Sequence, residues 1–513
     1  MTRGSLIVLG LGPGDPGLLT VEARQLLEQA DEVYLRTVRH PIVSRLPPTL
    51  AIRSFDHVYE AKGTFGEVYQ TICEELLKLA ERPQGVIYGV PGHPLVAEDS
   101  VHRIVTQAKG KGIEVRIVPG LSFVDAVLSL LEVDALAQGL QLVDASTLAE
   151  YADVWVADRG RESEGNTQAP LVWSKRPLDP TVPALVCQLH SRRVASATKL
   201  TLLELYPHDH KVVVVQWAGI AGKQRKRALE LSELDRLRDF DHLTSLYLPA
   251  LSVLDDLSSL AGLRFIVGRL RAPGGCPWDR EQTHESLKPY LLEETYEVLE
   301  ALDTEDRATF AEELGDLLLQ IVLHAQLAME SGDFAMEDVH RHINAKLIRR
   351  HPHVFGDRQV SGAAEVLLNW EQIKREEKGE GLVSLNNVPK ALPALAYAQS
   401  IQRRVARVGF DWPEIGGVLD KVSEEAQEVR QASGPGERAR ELGDLLFAIV
   451  NLARWLEVDA EEALRQANHR FKQRFQYMEQ LCADRKINLS ELSLEQQDEL
   501  WEEAKRWYAS GAE

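Results

Sequence analysis

Two blocks of acidic residues with the same spacing lie in the C-terminal half of the chain. They are Glu294, Glu297, Glu313 and Asp316, and then Glu425, Glu428, Glu441 and Asp444. Residues three apart on a helix share a face, so each pair of acids projects two carboxylates in one direction. If neighbouring helices gather four of them, two carboxylates roughly 4 Å apart repel by about 4 kcal/mol at an effective dielectric near 20. Such a cluster needs a cation, and oxygen ligands without thiolate or imidazole favour Mg²⁺, Mn²⁺ or Ca²⁺.

The two blocks belong to a longer internal repeat. Each has a glycine inside the second predicted helix, Gly315 and Gly443, which costs about 1 kcal/mol relative to alanine and suggests close approach of a helix or ligand. Each is followed by an asparagine and two cations four residues apart: Asn344, Lys346 and Arg350 in the first copy, and Asn468, Arg470 and Arg474 in the second. A single such acid pair is usually a solvated helix face, but duplication of the acids, glycine and cations favours a functional site.

Acids next to cations are typical of phosphate chemistry. A di- or triphosphate is itself negatively charged, so a carboxylate cluster can bind it only through metal ions that bridge to the phosphate oxygens. Arginine and lysine then neutralise the oxygens that the metal does not reach. The sequence therefore predicts a metal-dependent site for a polyphosphate ligand.

The region from about residue 260 to 508 resembles a tandem MazG-type nucleoside triphosphate pyrophosphohydrolase. Besides the acidic blocks, the resemblance rests on residues 275–279 (GCPWD), 350–356 (RHPHVFG), 369–374 (NWEQIK) and 408–412 (VGFDW). It implies an all-α, Mg²⁺-dependent enzyme, with Mn²⁺ as a substitute, that is usually a homodimer. The implied reaction converts an NTP or dNTP to the monophosphate and pyrophosphate.

The resemblance also implies roles for residues of both copies. Glu425, Glu428, Glu441 and Asp444 would be the catalytic metal ligands of the second copy, and Glu294, Glu297, Glu313 and Asp316 those of the first. Nucleotide contacts would come from Lys421, Glu424, Asn468, Arg470, Arg474 and Trp501, and in the first copy from Lys346 and Arg350. Because Tyr290 replaces the catalytic Lys421 in the first copy, we expect the second copy to carry most of the catalysis.

Three histidines could suggest other metal chemistry. His324 follows Asp316 on the same predicted helix, and ferritin-like di-iron sites use Glu-x-x-His. Its counterpart in the second copy is Leu452, which argues against a ligand role. His351 and His353 flank Pro352 at a predicted helix end, where capping or packing is the expected role.

The first 250 residues have a different sequence pattern, in which short apolar runs alternate with segments of helical periodicity. Residues 6–9, 85–90, 115–118 and 212–217 read as buried strands bounded by Gly or Pro, which predicts an α/β fold with a largely parallel sheet. Three Gly-rich turns follow strands, at residues 10–16, 89–94 and 119–122. Ligands of such sheets bind beyond the carboxyl ends of the strands, where glycine permits close approach.

This half resembles a tetrapyrrole (corrin/porphyrin) methylase domain, which implies S-adenosylmethionine binding near Pro13, Gly92, His93 and Ser122. Gly92-His93-Pro94 departs from the Gly-Asp-Pro that is common in that family, so methyl transfer itself is in question. The expected organisation is multidomain: the methylase-like α/β domain at residues 1–250, two all-α MazG-type helical bundles at 255–378 and 396–513, and a linker at 379–395.

Composition limits the partners and the compartment. The chain of 513 residues has a formal charge of −20, which argues against binding nucleic-acid polymers or anionic membranes. Its four cysteines have no CxxC spacing, as expected for reduced thiols in the cytoplasm, and no apolar segment of about 20 residues predicts a membrane span.

Two alternatives remain open from the sequence. The chain could act mainly as an S-adenosylmethionine-dependent methyltransferase on a tetrapyrrole or another small molecule. Alternatively, the helical half could bind nucleotide as a sensor without hydrolysing it.

Overall fold

The chain divides into two compact units, Met1–His340 and Arg341–Glu513. The computed structural model describes residues 4–61, 65–158, 176–303, 306–378, 385 and 388–509. The predicted domain limits near residues 250 and 378 stay predictions, and most of the predicted linker, 379–384 and 386–387, lies outside the described residues.

A five-stranded parallel sheet opens the first unit. Its strands are β1 (Ser5–Gly10), β2 (Glu32–Leu35), β3 (Ala51–Ser54), β4 (Val86–Val90) and β5 (Glu114–Val118), in the order β3-β2-β4-β1-β5. The helices beside it are α1 (Val21–Gln29), α2 (Asp56–Ala61), α3 (Phe65–Ala80) and α4 (Asp99–Gly110). Leu6 and Val8 of β1 belong to the core shared with α3 and α4, whereas Leu9 packs with α1. The sheet is therefore buried on both faces, which explains its continuous apolar strands and confirms the predicted parallel α/β sheet.

A second five-stranded sheet follows in the same unit. Its strands are β6 (Gln141–Asp144), β7 (Ala184–Cys187), β8 (Lys211–Gln216), β9 (Arg225–Glu230) and β10 (Thr244–Leu248), in the order β6-β7-β10-β8-β9. Among the described strands of this sheet, β6 and β7 pair in parallel, and the other pairings are antiparallel. The associated helices are α5 (Phe123–Leu131), α6 (Ala145–Asp158) and α7 (Arg192–Leu203). The sequence did not predict this second, mostly antiparallel sheet, because apolar runs do not encode strand direction.

The first acidic block lies on helices at the end of the first unit. These are α8 (Leu260–Arg271), α9 (Pro277–Glu281), α10 (Lys288–Asp303) and α11 (Arg307–Ser331), followed by α12 (Met336–Arg350), which continues into the second unit. Asp306 caps α11 by accepting bonds from the backbone N–H groups of Ala308 and Thr309. Gly332 ends the helix in the left-handed conformation. Local signals thus fix the limits of the helix that carries Glu313 and Asp316.

The remaining helices of the second unit are α13 (Pro352–Phe355), α14 (Ala363–Lys378), α15 (Ala394–Ala406), α16 (Ile415–Gln431), α17 (Pro435–Trp455), α18 (Ala460–Arg485) and α19 (Leu494–Ala509). Gln399 is buried and joins α15 to the start of α18: its Oε1 accepts from the N–H of Ala460 and its Nε2 donates to the carbonyl of Val458. From residue 255 onward the described part of the chain contains no strand, so the predicted all-α character is confirmed. None of the described helices is long and apolar enough to cross a membrane.

Both copies leave the same helix positions uncovered. Leu314, Leu318 and Ile321 on α11 are exposed, and so are their counterparts on α17, Leu442, Leu446 and Ile449. The spacing of four and then three residues places each set on one helical face. We call each set an apolar stripe. A Cβ added at Gly315 or Gly443 would meet no heavy atom within 4 Å, so the close approach predicted at these glycines does not occur within either unit.

Candidate metal centres

The acids of the first copy converge where α10 packs beside α11. Carboxylate oxygens of Glu294, Glu313 and Asp316 all lie within 4.8 Å of one another, and these three residues define the first acid cluster. Glu297 lies outside that group but contacts Glu294 and adds negative charge. Burial and then the charge of Asp316 raise the pKa of Glu294, while burial and then the charge of Glu297 raise the pKa of Glu313.

The first acid cluster has little compensating positive charge. Gln320, which is buried on α11, points Nε2 at Glu294 Oε1 at a distance of 3.5 Å. Among the described residues, no lysine or arginine is ion-paired with any of the four acids of this copy. The sequence reasoning missed Gln320, although its position one turn after Asp316 on the same face could have indicated it.

The acids of the second copy converge in the same way between α16 and α17. Oxygens of Glu425, Glu428 and Glu441 lie within 4.8 Å of one another and define the second acid cluster. Burial, followed by the charges of Glu425 and Glu441, raises the pKa of Glu428. Asp444 is exposed and lies outside this group, so the structure brings together three of the four predicted ligands.

The second acid cluster differs from the first in carrying its own cations. Lys421 Nζ lies 2.8 Å from Glu425 Oε1 and 3.0 Å from Glu424 Oε1, and hydrogen bonds to these two carboxylates raise the pKa of Lys421. Arg440 Nη2 lies 2.7 Å from Glu441 Oε1. The sequence reasoning missed Arg440, but laying the copies against each other reveals it, because the first copy has Glu312 there.

The second acid cluster fits a hard divalent cation. Glu425 is only 5% exposed, and its Oε2 is buried without a hydrogen-bond partner. An unsatisfied buried carboxylate oxygen is costly, and a metal ion would satisfy it. Clustered carboxylate oxygens are ligands that Mg²⁺ and Mn²⁺ prefer. Glu425, Glu428 and Glu441 would therefore hold the ion in the second copy, and Glu294, Glu313 and Asp316 would hold it in the first.

The predicted nucleotide contacts are dispersed. Among the residues that the structure describes, no hydrogen bond or ion pair joins Asn468, Arg470, Arg474 or Trp501 to the second acid cluster. Arg474 lies 5.0 Å from the ring centroid of Tyr508 and leaves its buried Nε without a partner. Trp501 packs on Phe471 with ring centroids 5.0 Å apart. Of the predicted nucleotide-binding cations of this copy, Lys421 is thus paired with the acid cluster, whereas Arg470 and Arg474 form no ion pair with it among the described residues.

The first-copy cations are placed differently. Arg350 is largely buried and forms an ion pair with Glu377, and its guanidinium lies 5.9 Å from the ring centroid of Trp370. Hydrogen bonds from Arg350 and Arg349 lower the pKa of Glu377 to about 2. Lys346 is exposed on α12. The structure thus gives Arg350 a protein partner instead of leaving it open for the phosphate contact predicted from the sequence.

The histidines do not extend the acid clusters. His324 Nδ1 lies 2.8 Å from His284 Nδ1, and the two rings are stacked. The sequence reasoning missed His284, which is 40 residues away along the chain. His351 Nδ1 bonds to the carbonyl of Leu347, which confirms the predicted capping role at the end of α12.

The three Gly-rich turns of the N-terminal half meet at the carboxyl edge of the parallel sheet. Gly12 and Gly92 exchange backbone hydrogen bonds of 3.2 and 2.8 Å. A Cβ on Gly10 would lie 2.5 Å from the backbone nitrogen of Gly120, and one on Gly120 would lie 2.4 Å from the carbonyl oxygen of Gly92. The three turns therefore contact one another, and these contacts require residues without side chains at Gly10 and Gly120.

The residues predicted near the methyl donor line this junction. Pro13 is buried, and its ring approaches Gly219 beyond β8. His93 Nδ1 accepts from the N–H of Leu95 at 3.1 Å. Ser122 begins α5 in a capping box with Asp125, which satisfies the first free N–H groups of that helix. His93 and Ser122 thus have structural roles in the turns, whatever their contact with a ligand.

Three polar residues beside these turns were missed: Glu98 and His40, which are buried, and Arg36, which is partly buried. Arg36 follows β2 and forms a 2.6 Å ion pair with Glu98, whose pKa burial raises to about 7 against the effect of Arg36. His40 is buried with Nδ1 unpartnered, and burial followed by the charge of Arg36 lowers its pKa to about 4. The position of Arg36 directly after a buried strand was the available signal.

Each half of the chain matches a known protein family. Residues 5–235 match the family model of tetrapyrrole (corrin/porphyrin) methylases, and residues 282–355 match that of the MazG nucleotide pyrophosphohydrolase domain. A Bacillus subtilis protein, "Uncharacterized protein YabN", is 41% identical over 98% of this chain and 98% of its own length.

Two further relatives are similar to about half of the chain. The Thermotoga maritima protein named nucleoside triphosphate pyrophosphohydrolase/pyrophosphatase MazG is 51% identical over 47% of this chain and 93% of its own length. The Escherichia coli K12 nucleoside triphosphate pyrophosphohydrolase is 48% identical over 49% of this chain and 98% of its own length. The chain therefore belongs to the MazG nucleotide pyrophosphohydrolase family, in a form that carries a tetrapyrrole methylase domain before the MazG region.

Proposed function

We propose that the helical region hydrolyses nucleoside triphosphates to the monophosphate and pyrophosphate, using Mg²⁺ or Mn²⁺. The observation that carries this proposal is the buried Glu425, whose Oε2 lacks a partner within a group of three carboxylates. Two relatives near 50% identity are named for this activity. A divalent ion bound there would neutralise phosphate charge and lower the pKa of a water molecule.

Residues of the second copy would bind the metal ion and neutralise the phosphate charge. Glu425, Glu428 and Glu441 hold the cation and keep it at the junction of α16 and α17. In the proposed reaction a water oxygen bonds to the α-phosphorus and gives up a proton to solvent, while the bond from the α-phosphorus to the oxygen bridging to the β-phosphate breaks and pyrophosphate leaves. Lys421 is ion-paired with Glu425 and lies one helical turn before it, where its ammonium can neutralise phosphate oxygens. We keep the prediction that this copy carries most of the catalysis.

Substitution of the buried ligand tests the proposal. We expect Glu425→Gln to lower Mg²⁺-dependent pyrophosphate release by at least about a hundredfold, since loss of a charged ligand removes several kcal/mol of charge stabilisation. Glu294→Gln reports the share of the first copy in the same assay. Glu233→Gln, which removes an exposed partner of Arg236 in the N-terminal half, is the control and should retain full activity.

A result in which Glu425→Gln keeps most of its activity would exclude the second acid cluster. Saturable nucleotide binding without pyrophosphate formation would favour the sensor alternative over hydrolysis.

We also propose that a second copy of the chain covers the apolar stripes. The same three positions are exposed in both copies, beside a glycine that leaves room for a neighbouring helix. Exposed apolar faces of this kind are typical of association surfaces.

A second candidate function belongs to the methylase-like domain. The junction of three glycine turns at the carboxyl edge of the parallel sheet is the place where α/β proteins bind ligands, and it fits S-adenosylmethionine. Calorimetric titration of the full chain with S-adenosylmethionine tests this, and absence of heat at millimolar donor would rule it out.

The four cysteines are free thiols, which supports the predicted reducing cytoplasmic compartment.

A further inference from the structure

An exposed aromatic residue lies next to the first acid cluster. Tyr290 precedes Glu294 by four residues on α10 and Glu297 by seven, so the three side chains follow one face of the helix. Tyr290 is 39% exposed. The phenol thus borders the carboxylates on the side of the helix N-terminus.

A second aromatic ring completes the pair. The ring centroid of Trp278, on α9, lies 6.2 Å from that of Tyr290, and the planes meet at 74°. The indole is 54% exposed. Such edge-to-face contact holds two rings in a defined relation and leaves the remaining ring surface open to solvent.

The backbone that carries Trp278 is firmly anchored. Arg271, which is almost fully buried, donates to the carbonyl of Asp279 and binds Glu330 through Nη2 at 2.8 Å. Gln282 Nε2 donates to the carbonyl of Trp278 at 3.1 Å. The backbone of α9 is thus held in place while the side chain of Trp278 stays exposed, which leaves its ring available to a ligand.

The equivalent position in the second copy has opposite chemistry. Lys421 occupies the place of Tyr290 and is bound to Glu424 and Glu425. The two copies therefore have a ring and a cation, respectively, four residues before the equivalent glutamates Glu294 and Glu425. At this one position the first copy therefore favours an aromatic ligand group, and the second favours an anionic one.

We propose that Trp278 and Tyr290 form a nucleobase-stacking subsite in the first copy. The inference rests on the proposed function, because its ligand is a nucleotide whose phosphates are held at the first acid cluster. In a nucleotide, the ribose separates the base from the α-phosphate by a distance of the order of one helical turn, about 5.4 Å. Tyr290 and Glu294 are also separated by about one turn along α10. Aromatic stacking is tolerant of base identity, so the subsite accepts purines and pyrimidines.

Binding of two ligands to the full chain tests the subsite. Glu425→Gln is used as the parent, so that the second copy contributes little, and Mg²⁺ is present throughout. The probes are α,β-methylene ATP, which has a base and resists cleavage, and inorganic triphosphate, which has no base. We expect Trp278→Ala and Tyr290→Ala each to weaken binding of the nucleotide analogue about tenfold, within the range measured for base–aromatic stacking. Binding of inorganic triphosphate should not change.

Two variants serve as controls. Tyr290→Phe keeps the ring and should bind like the parent. Phe334→Ala removes an equally exposed ring that follows the end of α11, roughly 20 Å of helix beyond Asp316, and should also bind like the parent.

Three outcomes would overturn the subsite. They are unchanged analogue affinity in both alanine variants, equal loss of analogue and triphosphate, and a change only in oligomeric mass, which would assign the rings to a protein interface. If the parent binds neither probe but the wild-type chain releases pyrophosphate, the subsite fails alone. If the wild-type chain also releases no pyrophosphate, the proposed function fails with it.

Discussion

Equivalent carboxylates in the two copies have different neighbours. Glu294 is approached by the neutral amide of Gln320, whereas its counterpart Glu425 is bound by Lys421. The repeated acids and the replacement of Lys421 by Tyr290 were visible in the sequence. The partner of Arg350 was not, because Glu377 belongs to a different helix and nothing local in the sequence predicts their contact. Acid clusters were thus predictable as sets, but their counter-charges were not.

Removing Lys421 should make the second acid cluster more dependent on metal. We expect Lys421→Gln to lower the thermal midpoint of the metal-free chain, because the buried Glu425 loses its cation and an uncompensated buried charge is destabilising. Added Mg²⁺ should then raise the midpoint by more than it does in the wild type. Scanning calorimetry in chelator and in excess Mg²⁺ measures both values.

Lys505→Gln provides the comparison for that experiment, since it removes an exposed lysine from a pair spaced three residues apart on α19. Exposed pairs contribute little, so its midpoints should match those of the wild type. Identical midpoints for Lys421→Gln and the wild type would mean that Lys421 does not balance Glu425.

At the scale of elements, the helices follow from local signals, whereas their partners do not. Caps such as Asp306 and the left-handed Gly332 mark the ends of α11 in the sequence. The direction of β8, β9 and β10 was not predictable, because strand pairing depends on contacts between distant residues. The apolar stripes could be read as core faces from their period alone, and the structure shows them exposed.

A charge placed in one stripe should disrupt association. We expect Leu446→Glu to shift the chain toward the monomer, because the carboxylate would have to be buried without a partner in the interface. Light scattering during gel filtration, over a range of protein concentrations, measures the mass. Leu494→Glu is the matched control, since Leu494 is 81% exposed at the start of α19. Equal masses for the two variants would remove the stripe from the interface.

For the whole molecule, acidity and metal binding are linked. Glu294, Glu313 and Glu428 have raised pKa values in the folded chain, so the folded state holds more protons than the unfolded state between the ordinary and the raised values. Stability therefore falls as the pH rises through that window, and the loss persists above it. A divalent cation offsets the repulsion but must displace protons when the pH is low.

The stabilisation by metal should consequently grow with pH. We expect saturating Mn²⁺ to raise the thermal midpoint more at pH 7.5 than at pH 5, since ligand binding to the native state stabilises it by mass action and protons compete at the lower pH. Differential scanning fluorimetry gives the midpoints, with NaCl at matched ionic strength as the control. A shift of the same size at both pH values would contradict the role of these carboxylates as ligands.

The glycine junction at the edge of the parallel sheet affects how mutational scans of this chain should be interpreted. Every side chain introduced at Gly10 or Gly120 would collide with neighbouring backbone, so all substitutions there should be depleted even under selection for folding alone. Intolerance at these two positions would therefore give no information on methyl transfer. His40, whose side chain borders the junction and leaves Nδ1 without a hydrogen-bond partner, is a more informative position for that question.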